Sequence, residues 1–278
     1  MLAVVEQSPR AVAAQDRQAW LSMFSQLAVI EDPVGSAPHI SGIFDPVSGR
    51  RGDDVLRRFY NTFIEGNRIE FVIANDIVVG NKVLRDLALK LEVNGMQATV
   101  PMHLVYELVF EQKELKVQRL SAHWEFFPMS RQMMNSNLWG MLAYSKKLIQ
   151  QLGFSGVMGF MRAARSVGEQ GKQAVADFIA ASNANQLSAL EDLFDPQCSG
   201  IVFEGNSALM SLPDFGLLDT QLTTSKLIAA GNRVSCSLQM ERDGRVQAGA
   251  GLFEFNWKTR KLNKVRFFFE PVDAMQSK

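Results

Sequence analysis

The feature that most constrains this chain is a texture that occurs twice. Segments with helical periodicity are followed by four runs whose apolar residues alternate. In the first copy, residues 10–27 place Val12, Ala13, Ala19, Trp20, Met23, Phe24 and Leu27 on one face of a helix. Residues 53–64 form a second helix, with Asp53 and Asp54 in its first turn and Val55, Leu56, Phe59, Tyr60 and Phe63 as its buried stripe. After Gly66 the period changes to two, and residues 69–79, 82–93, 98–110 and 115–127 read as strands. Asn94-Gly95 between two of these runs is a hairpin turn. The texture returns with a helix over 173–194 and strands over 223–231, 233–242, 245–256 and 261–270, where Asp243-Gly244 turns a hairpin. Phe110-x-x-Lys113-x-x-Lys116 and Phe255-x-x-Lys258-x-x-Lys261 share their spacing ahead of each last strand, which marks an internal duplication. Helices followed by antiparallel strands give an α+β fold with helices on one face of a bent sheet.

Between the copies lies a different stretch, so the expected layout is 1–128, a connector over 129–168, and 169–278. Six of the thirteen methionines fall between Met129 and Met161, with Gly153, Gly156 and Gly159 among them and Lys146, Lys147, Arg162 and Arg165 making it basic. A membrane-surface helix is one reading. Helices buried between the domains are the preferred one, because methionine fills irregular interfaces.

Composition narrows the partners. Lys+Arg and Asp+Glu both number 29, so a formal charge of zero provides no global field for a phosphate backbone and argues against nucleic acid. No apolar run approaches the ~18 residues of a spanning helix, which argues against a membrane partner. Cys198 and Cys236 form no CxxC pair and read as packing cysteines. The N-terminal residues lack the pattern of a signal peptide, so the expected location is cytoplasmic. Phosphate-binding, dinucleotide and serine-hydrolase motifs are absent, and three histidines are too few for a zinc site at the usual spacings.

The sharpest local pattern is Ile30-Glu31-Asp32-Pro33-Val34-Gly35, just after the first helix. It resembles the V-E-D-P-F-G segment of the ketosteroid isomerases, within the nuclear-transport-factor-2-like cone folds that also include the SnoaL-like proteins. Gly52-Asp53-Asp54-Val55-Leu56-Arg57-Arg58-Phe59-Tyr60 resembles the family's Gly-Arg-Glu-x-Ile-x-x-Phe-Tyr helix, and Ala122-His123-Trp124 its Ala-Tyr-Trp strand end. The resemblance covers residues 10–126 in order, and the second copy shares the texture without the motifs.

The resemblance implies a site. Asp32 takes the place of the Asp that shuttles a proton on an enone steroid, in an apolar pocket that raises its pKa. Asp-Pro-x-Gly is equally an ordinary turn in which Asp caps its own backbone. Counted back without gaps, the family's helix tyrosine falls on Ser8, outside the expected helix. Tyr106 aligns with the second oxyanion donor, and strand parity puts it on one face with Met102, Leu104, Leu108 and Phe110. Trp124 matches the pocket-lining Trp, with Leu120, Ala122 and Phe126 on its face. Phe24, Phe59, Leu104 and Leu108 complete the apolar wall. His39 is a candidate at the pocket mouth, and Asp45, in the longer loop 36–51, is a rival acid. His103 and His123 point outward on parity. The second copy has Phe194-Asp195-Pro196-Gln197 and Val202-Phe203-Glu204-Gly205, and Glu204 lies near the matching place for an acid if a gap is allowed. The expected function is proton transfer on a small apolar carbonyl ligand, steroid- or polyketide-like, without metal or organic cofactor. The alternative is a noncatalytic ligand-binding or assembly module. Cones of this kind pair through the outer sheet face, so the resemblance implies an internal pseudo-dimer or a homodimer.

Overall fold

The computed structural model describes residues 1–42, 53–205, 209–216 and 220–270. Asp45 lies outside the described residues. The chain divides into two compact units, Met1–Asp76 with Asn81–Arg165 and Ile77–Gly80 with Ser166–Lys278.

The first unit opens with three short helices, α1 (Leu2–Val5), α2 (Gln7–Ala13) and α3 (Arg17–Ser22). The single helix expected over 10–27 is broken because Gln15 adopts a left-handed φ of 53°, and Asp16 then caps α3 by accepting from the Ala19 N–H at 2.9 Å. Phe24 and Leu27 consequently belong to β1 (Phe24–Glu31). β2 (His39–Ile40) and α4 (Asp53–Phe63) follow, then β3 (Arg68–Val79), β4 (Lys82–Val93), β5 (Met96–Glu111) and β6 (Glu114–His123). The strand ends at His123, so Phe126 starts α5 (Phe126–Ser136), which leads into α6 (Leu138–Met161). In the second unit come α7 (Gly168–Asn183), α8 (Leu187–Leu193), β7 (Gly200–Phe203), β8 (Leu209–Met210), α9 (Leu212–Gly216), β9 (Gln221–Ala230), β10 (Arg233–Arg242), β11 (Arg245–Phe255) and β12 (Leu262–Phe269).

The two sheets repeat one topology. Their orders are β2-β1-β6-β5-β4-β3 and β8-β7-β12-β11-β10-β9. In each, the first strand pairs parallel with the last; β1–β2, β4–β5 and β5–β6 in one sheet and β7–β8, β9–β10, β10–β11 and β11–β12 in the other are antiparallel. Asn94-Gly95 and Asp243-Gly244 have positive φ at both central positions, as a type I′ hairpin requires.

A shared clasp fixes the bend. Gly80-Asn81 and Gly231-Asn232 occupy the same turn, and each asparagine carbonyl accepts from the strand beyond, Leu108 N–H and Phe255 N–H, both at 2.8 Å. Each side-chain amide donates back to the same residue's carbonyl at 2.9 Å. Both clasps sit where the register slips by one residue, between Glu107 and Leu108 and between Glu254 and Phe255. A bulge there bends the strand and increases its local twist. Leu108 therefore corresponds to Phe255, and the Phe110/Phe255 match read from the sequence is two residues out. The lysine spacing agrees only because the second copy has a longer connection between β11 and β12.

Candidate functional site

The inner face of the first sheet carries Leu89 and Leu91 from β4, Met102, Leu104 and Tyr106 from β5, and Leu120 from β6. Across from them stand Val12, Trp20, Phe59 and Phe63 from α2, α3 and α4. Together they surround a cavity of about 300 Å³. The methionine-rich helices complete it: α5 contributes Met129 and Met133, and α6 contributes Met141, Tyr144, Leu148 and Phe160. Residues 126–161 are thus a lid on the first unit, where the sequence suggested helices buried between domains. Two glycines seat this lid closely. A Cβ on Gly140 would lie 2.5 Å from the Asn94 carbonyl oxygen, and one on Gly159 would lie 2.9 Å from the Ala37 Cβ. The Ala37 N–H donates to the Gly159 carbonyl at 3.0 Å.

Asp32 lines this cavity. Two Asp-Pro turns lie among the described residues, and they differ. At Asp195-Pro196 the carboxylate accepts from the Gln197 N–H at 2.9 Å and the Thr259 hydroxyl at 2.5 Å, and these bonds pull its pKa down. At Asp32-Pro33 the turn amide, Gly35 N–H, is taken at 3.0 Å by the neighbouring Glu31. Asp32 is left to accept one bond from the Trp124 indole N–H, at 2.6 Å. Burial then pushes its pKa up to about 6, and the indole bond opposes part of that rise.

Tyr106 faces the same cavity from β5, buried to 1% exposure. Burial pushes its phenol up to about 12, while the charge of Arg85 and a hydrogen bond with Ser8 draw it back. Ser8 is inside α2 and lines the cavity, whereas the sequence reading put it outside the helix. Arg85 stands opposite Leu104 on the inner face and is fully buried. Its Nε and Nη2 donate to Asp76 at 2.7 and 2.8 Å, and Nη2 also donates to Glu6 at 3.0 Å. This cation was overlooked in the sequence, although it interrupts the inward parity run Val83, Leu87, Leu89, Leu91. Tyr144 is a second polar group that the sequence reading left out of the site: burial, and then the nearby charge of Asp32, raise its phenol pKa.

Of the other candidates, Trp124, Phe59 and Leu104 line the cavity, and Phe24, Leu108 and His39 do not. Phe24 packs on the Trp20 ring at 4.6 Å and Leu108 is buried core. The His39 ring sits edge-on to Phe59 at 5.2 Å, and burial, with the charge of Arg58, lowers its pKa to about 4. His103 and His123 face each other across β5 and β6, as parity implied, and both are fully buried.

Register shows what the second copy did with the same positions. Val83 pairs with Tyr106 and Val234 with Phe253; Tyr106 pairs with Leu120 and Phe253 with Val265. Ile30 lies beside Leu120 as Ile201 lies beside Val265. Counted along these strands, Asp32, Arg85, Tyr106, Ala122 and Trp124 correspond to Phe203, Cys236, Phe253, Phe267 and Phe269. Each polar position has an apolar counterpart, and where the first sheet has Ala122 the second sheet has the ring of Phe267. Phe203 packs on Phe267 and Phe269 at 5.2 and 6.3 Å, and Phe253 packs on Phe178 at 5.3 Å. Glu204, one residue past the acid's counterpart, pairs with Arg266 at 3.6 Å. Cys236 is buried in this core, which pushes its thiol up to about 12.

No protein-family model and no curated protein matches the chain. Among solved structures it is similar to the Delta 5-3-ketosteroid isomerase of Mycobacterium sp., at 28% identity over 46% of this chain and 95% of that one, with a TM-score of 0.38. It is similar to a Mycobacterium tuberculosis protein solved in complex with estradiol-17beta-hemisuccinate, at 24% identity over 46% of this chain and 95% of that one, TM-score 0.35. It is also similar to an epoxide hydrolase of the LEH-like kind from M. tuberculosis, at 17% identity over 51% of this chain and 93% of that one, TM-score 0.37. With its two six-stranded sheets of identical strand order, each carrying helices, the chain has the architecture of two tandem nuclear-transport-factor-2-like α+β domains.

Proposed function

We propose that the first domain is a ketosteroid-isomerase-like site that moves a proton on a flat, apolar, carbonyl-bearing molecule. The observation that carries this reading is the disposition of Asp32: its carboxyl faces the apolar cavity while Glu31 serves the turn. With a pKa of about 6, Asp32 is mostly ionised near neutral pH yet basic enough to take a proton from carbon activated by an adjacent carbonyl. The Trp124 indole holds Oδ1. Oδ2 is the oxygen that accepts the proton.

In a β,γ-unsaturated ketone, the carbon between the carbonyl and the double bond gives its proton to Asp32. The electron pair of that C–H bond moves to the carbonyl oxygen as a dienolate. Tyr106 donates a hydrogen bond to that oxygen, and Tyr144 is a second hydroxyl on the cavity wall. The positive charge of Arg85 makes Tyr106 a better donor than burial alone would leave it. Asp32 returns the proton to the far carbon of the double bond, and the product is the conjugated ketone. Atoms and charge balance without a cofactor. The second domain, with phenyl rings at the corresponding positions, contributes no such group.

The test is incubation with an unconjugated steroid enone, followed by the absorbance of the conjugated product. Turnover is expected from the native chain and is abolished by Asp32→Asn. Tyr106→Phe lowers kcat by about 100-fold, the scale of losing one oxyanion donor. Turnover that survives Asp32→Asn refutes the assignment. Ligand binding without turnover in the native chain leaves a carrier.

A further inference from the structure

The lid has two faces, and only the inner one is used by the cavity. Between Glu125 and Glu169 the chain has no acidic residue and five cations, Arg131, Lys146, Lys147, Arg162 and Arg165, in a protein whose formal charge is zero. On the outer face of α6, Trp139, Leu142 and Lys146 fall at the three- and four-residue spacing of one helical stripe, and Ile149, next in that spacing, stands where the stripe meets the cavity wall. Gly153, with a left-handed φ of 69°, kinks the helix, and Phe154 and Met158 continue the apolar surface beyond it. Trp139 is 80% and Phe154 77% exposed, and Phe127 and Leu138 stand out beside them at 65% and 61%. No helix among the described residues is long and apolar enough to cross a membrane.

The exposed surface runs into the cavity. Ile149 and Met161 belong to the cavity wall and are also among the exposed apolar residues. The outer apolar surface and the cavity wall therefore share two apolar side chains.

We propose that the outer face of α5 and α6 docks on an anionic phospholipid bilayer and receives apolar molecules from it. A Trp and a Phe exposed on a helix that also exposes Lys146 and is kinked at Gly153, where no described helix is long and apolar enough to span, suit a headgroup boundary. The absence of acids selects a negatively charged surface over a neutral one. The sequence made a membrane partner the less favoured expectation, with a membrane-surface helix as its second reading, and solvent exposure of the stripe is the observation that favours that second reading. The inference uses the apolar character of the cavity and is independent of proton transfer.

The test is co-sedimentation of the full chain with vesicles of phosphatidylcholine alone and of phosphatidylcholine with about a quarter phosphatidylserine. Binding to the mixed vesicles, with a blue shift of tryptophan emission, is the expected result. Lys146→Ala weakens it about fivefold, the contribution of one cation near such a surface. Trp139→Ser and Phe154→Ser each weaken it about tenfold or more, the scale of one large apolar side chain withdrawn from water. Both positions are exposed and outside the cavity wall, so thermal unfolding stays at the native temperature. Asp32→Asn binds vesicles like the native chain, which separates this inference from the isomerase reading. Three results overturn it: no binding to mixed vesicles, unchanged binding by the Trp139→Ser, Phe154→Ser double variant, or a dimer in solution that Trp139→Ser splits, because a second copy then covers the face.

Discussion

Replacing Asp32 by Asn should stabilise the protein, and by an amount that depends on pH. The folded chain holds the Asp32 proton with a pKa of about 6, against 3.8 for an aspartate in water. Over that interval the folded state binds more protons than the unfolded state, so stability falls as pH rises from 3.8 to about 6. Below the interval the carboxyl is neutral in both states and contributes nothing. Above it the full cost of an ionised carboxyl in an apolar cavity is present. Two pH units at 1.36 kcal/mol each make that cost about 3 kcal/mol. Asn has the same shape, stays neutral and offers an acceptor to the Trp124 N–H. Asp32→Asn is therefore expected to be about 3 kcal/mol more stable than the native chain near pH 8 and equal to it near pH 3.5. Urea unfolding at the two pH values, followed by tryptophan fluorescence, measures the difference, since Trp20, Trp124 and Trp139 all lie in this domain and only Trp257 in the other. In a thermal scan each kcal/mol corresponds to about 2–4 °C. A variant that is no more stable at either pH means that the carboxyl is solvated, and the reasoning fails.

Other changes reach different parts of the account. Trp124→Phe removes the bond that holds the Asp32 pKa down, so the acid limb of the kcat/KM profile moves above about 6; an unmoved limb contradicts the role of the indole. Tyr144→Phe weakens binding of a phenolic steroid by about fivefold to tenfold in an equilibrium titration, the scale of one hydrogen bond, and unchanged affinity means that the ligand does not reach α6. Arg85→Met leaves Asp76 and the partly exposed Glu6 without their shared buried cation and costs about 1–3 kcal/mol in chemical denaturation, with no loss excluding a structural role for this ion-pair cluster.

The parts of the site that were legible in the sequence share a cause. Tyr106 was placed by strand parity, which allows one inward face and fixes it over a long run. Asp32 was placed by a short motif whose flanking segments came in the right order. Glu31, the residue that frees Asp32 from its turn, was invisible, because both acids suit that turn equally and only packing decides between them. Ser8 was misplaced because one backbone conformation at Gln15 splits an apparently continuous helix, and apolar periodicity does not register such a break. The lid was misread for a related reason. Its glycines and methionines blur the helical period, and a helix that is apolar on both faces looks buried whether its second face meets protein or not. In the second copy Glu204 was the nearest acid in sequence, but only the β7–β12 register shows that the equivalent position is Phe203. A pocket emptied of polar groups is legible only when each position can be paired across strands with its twin.

The central claim is that one carboxyl sits in an apolar cavity opposite a phenol, so the most direct measurement is the titration of that carboxyl. ¹³C NMR of the aspartate side chains, with Asp32→Asn supplying the assignment by loss of one resonance, gives its pKa in the folded protein. A midpoint of about 6 is expected. A midpoint at the ordinary carboxylate value of about 4 contradicts the account, because an acid so placed is in water.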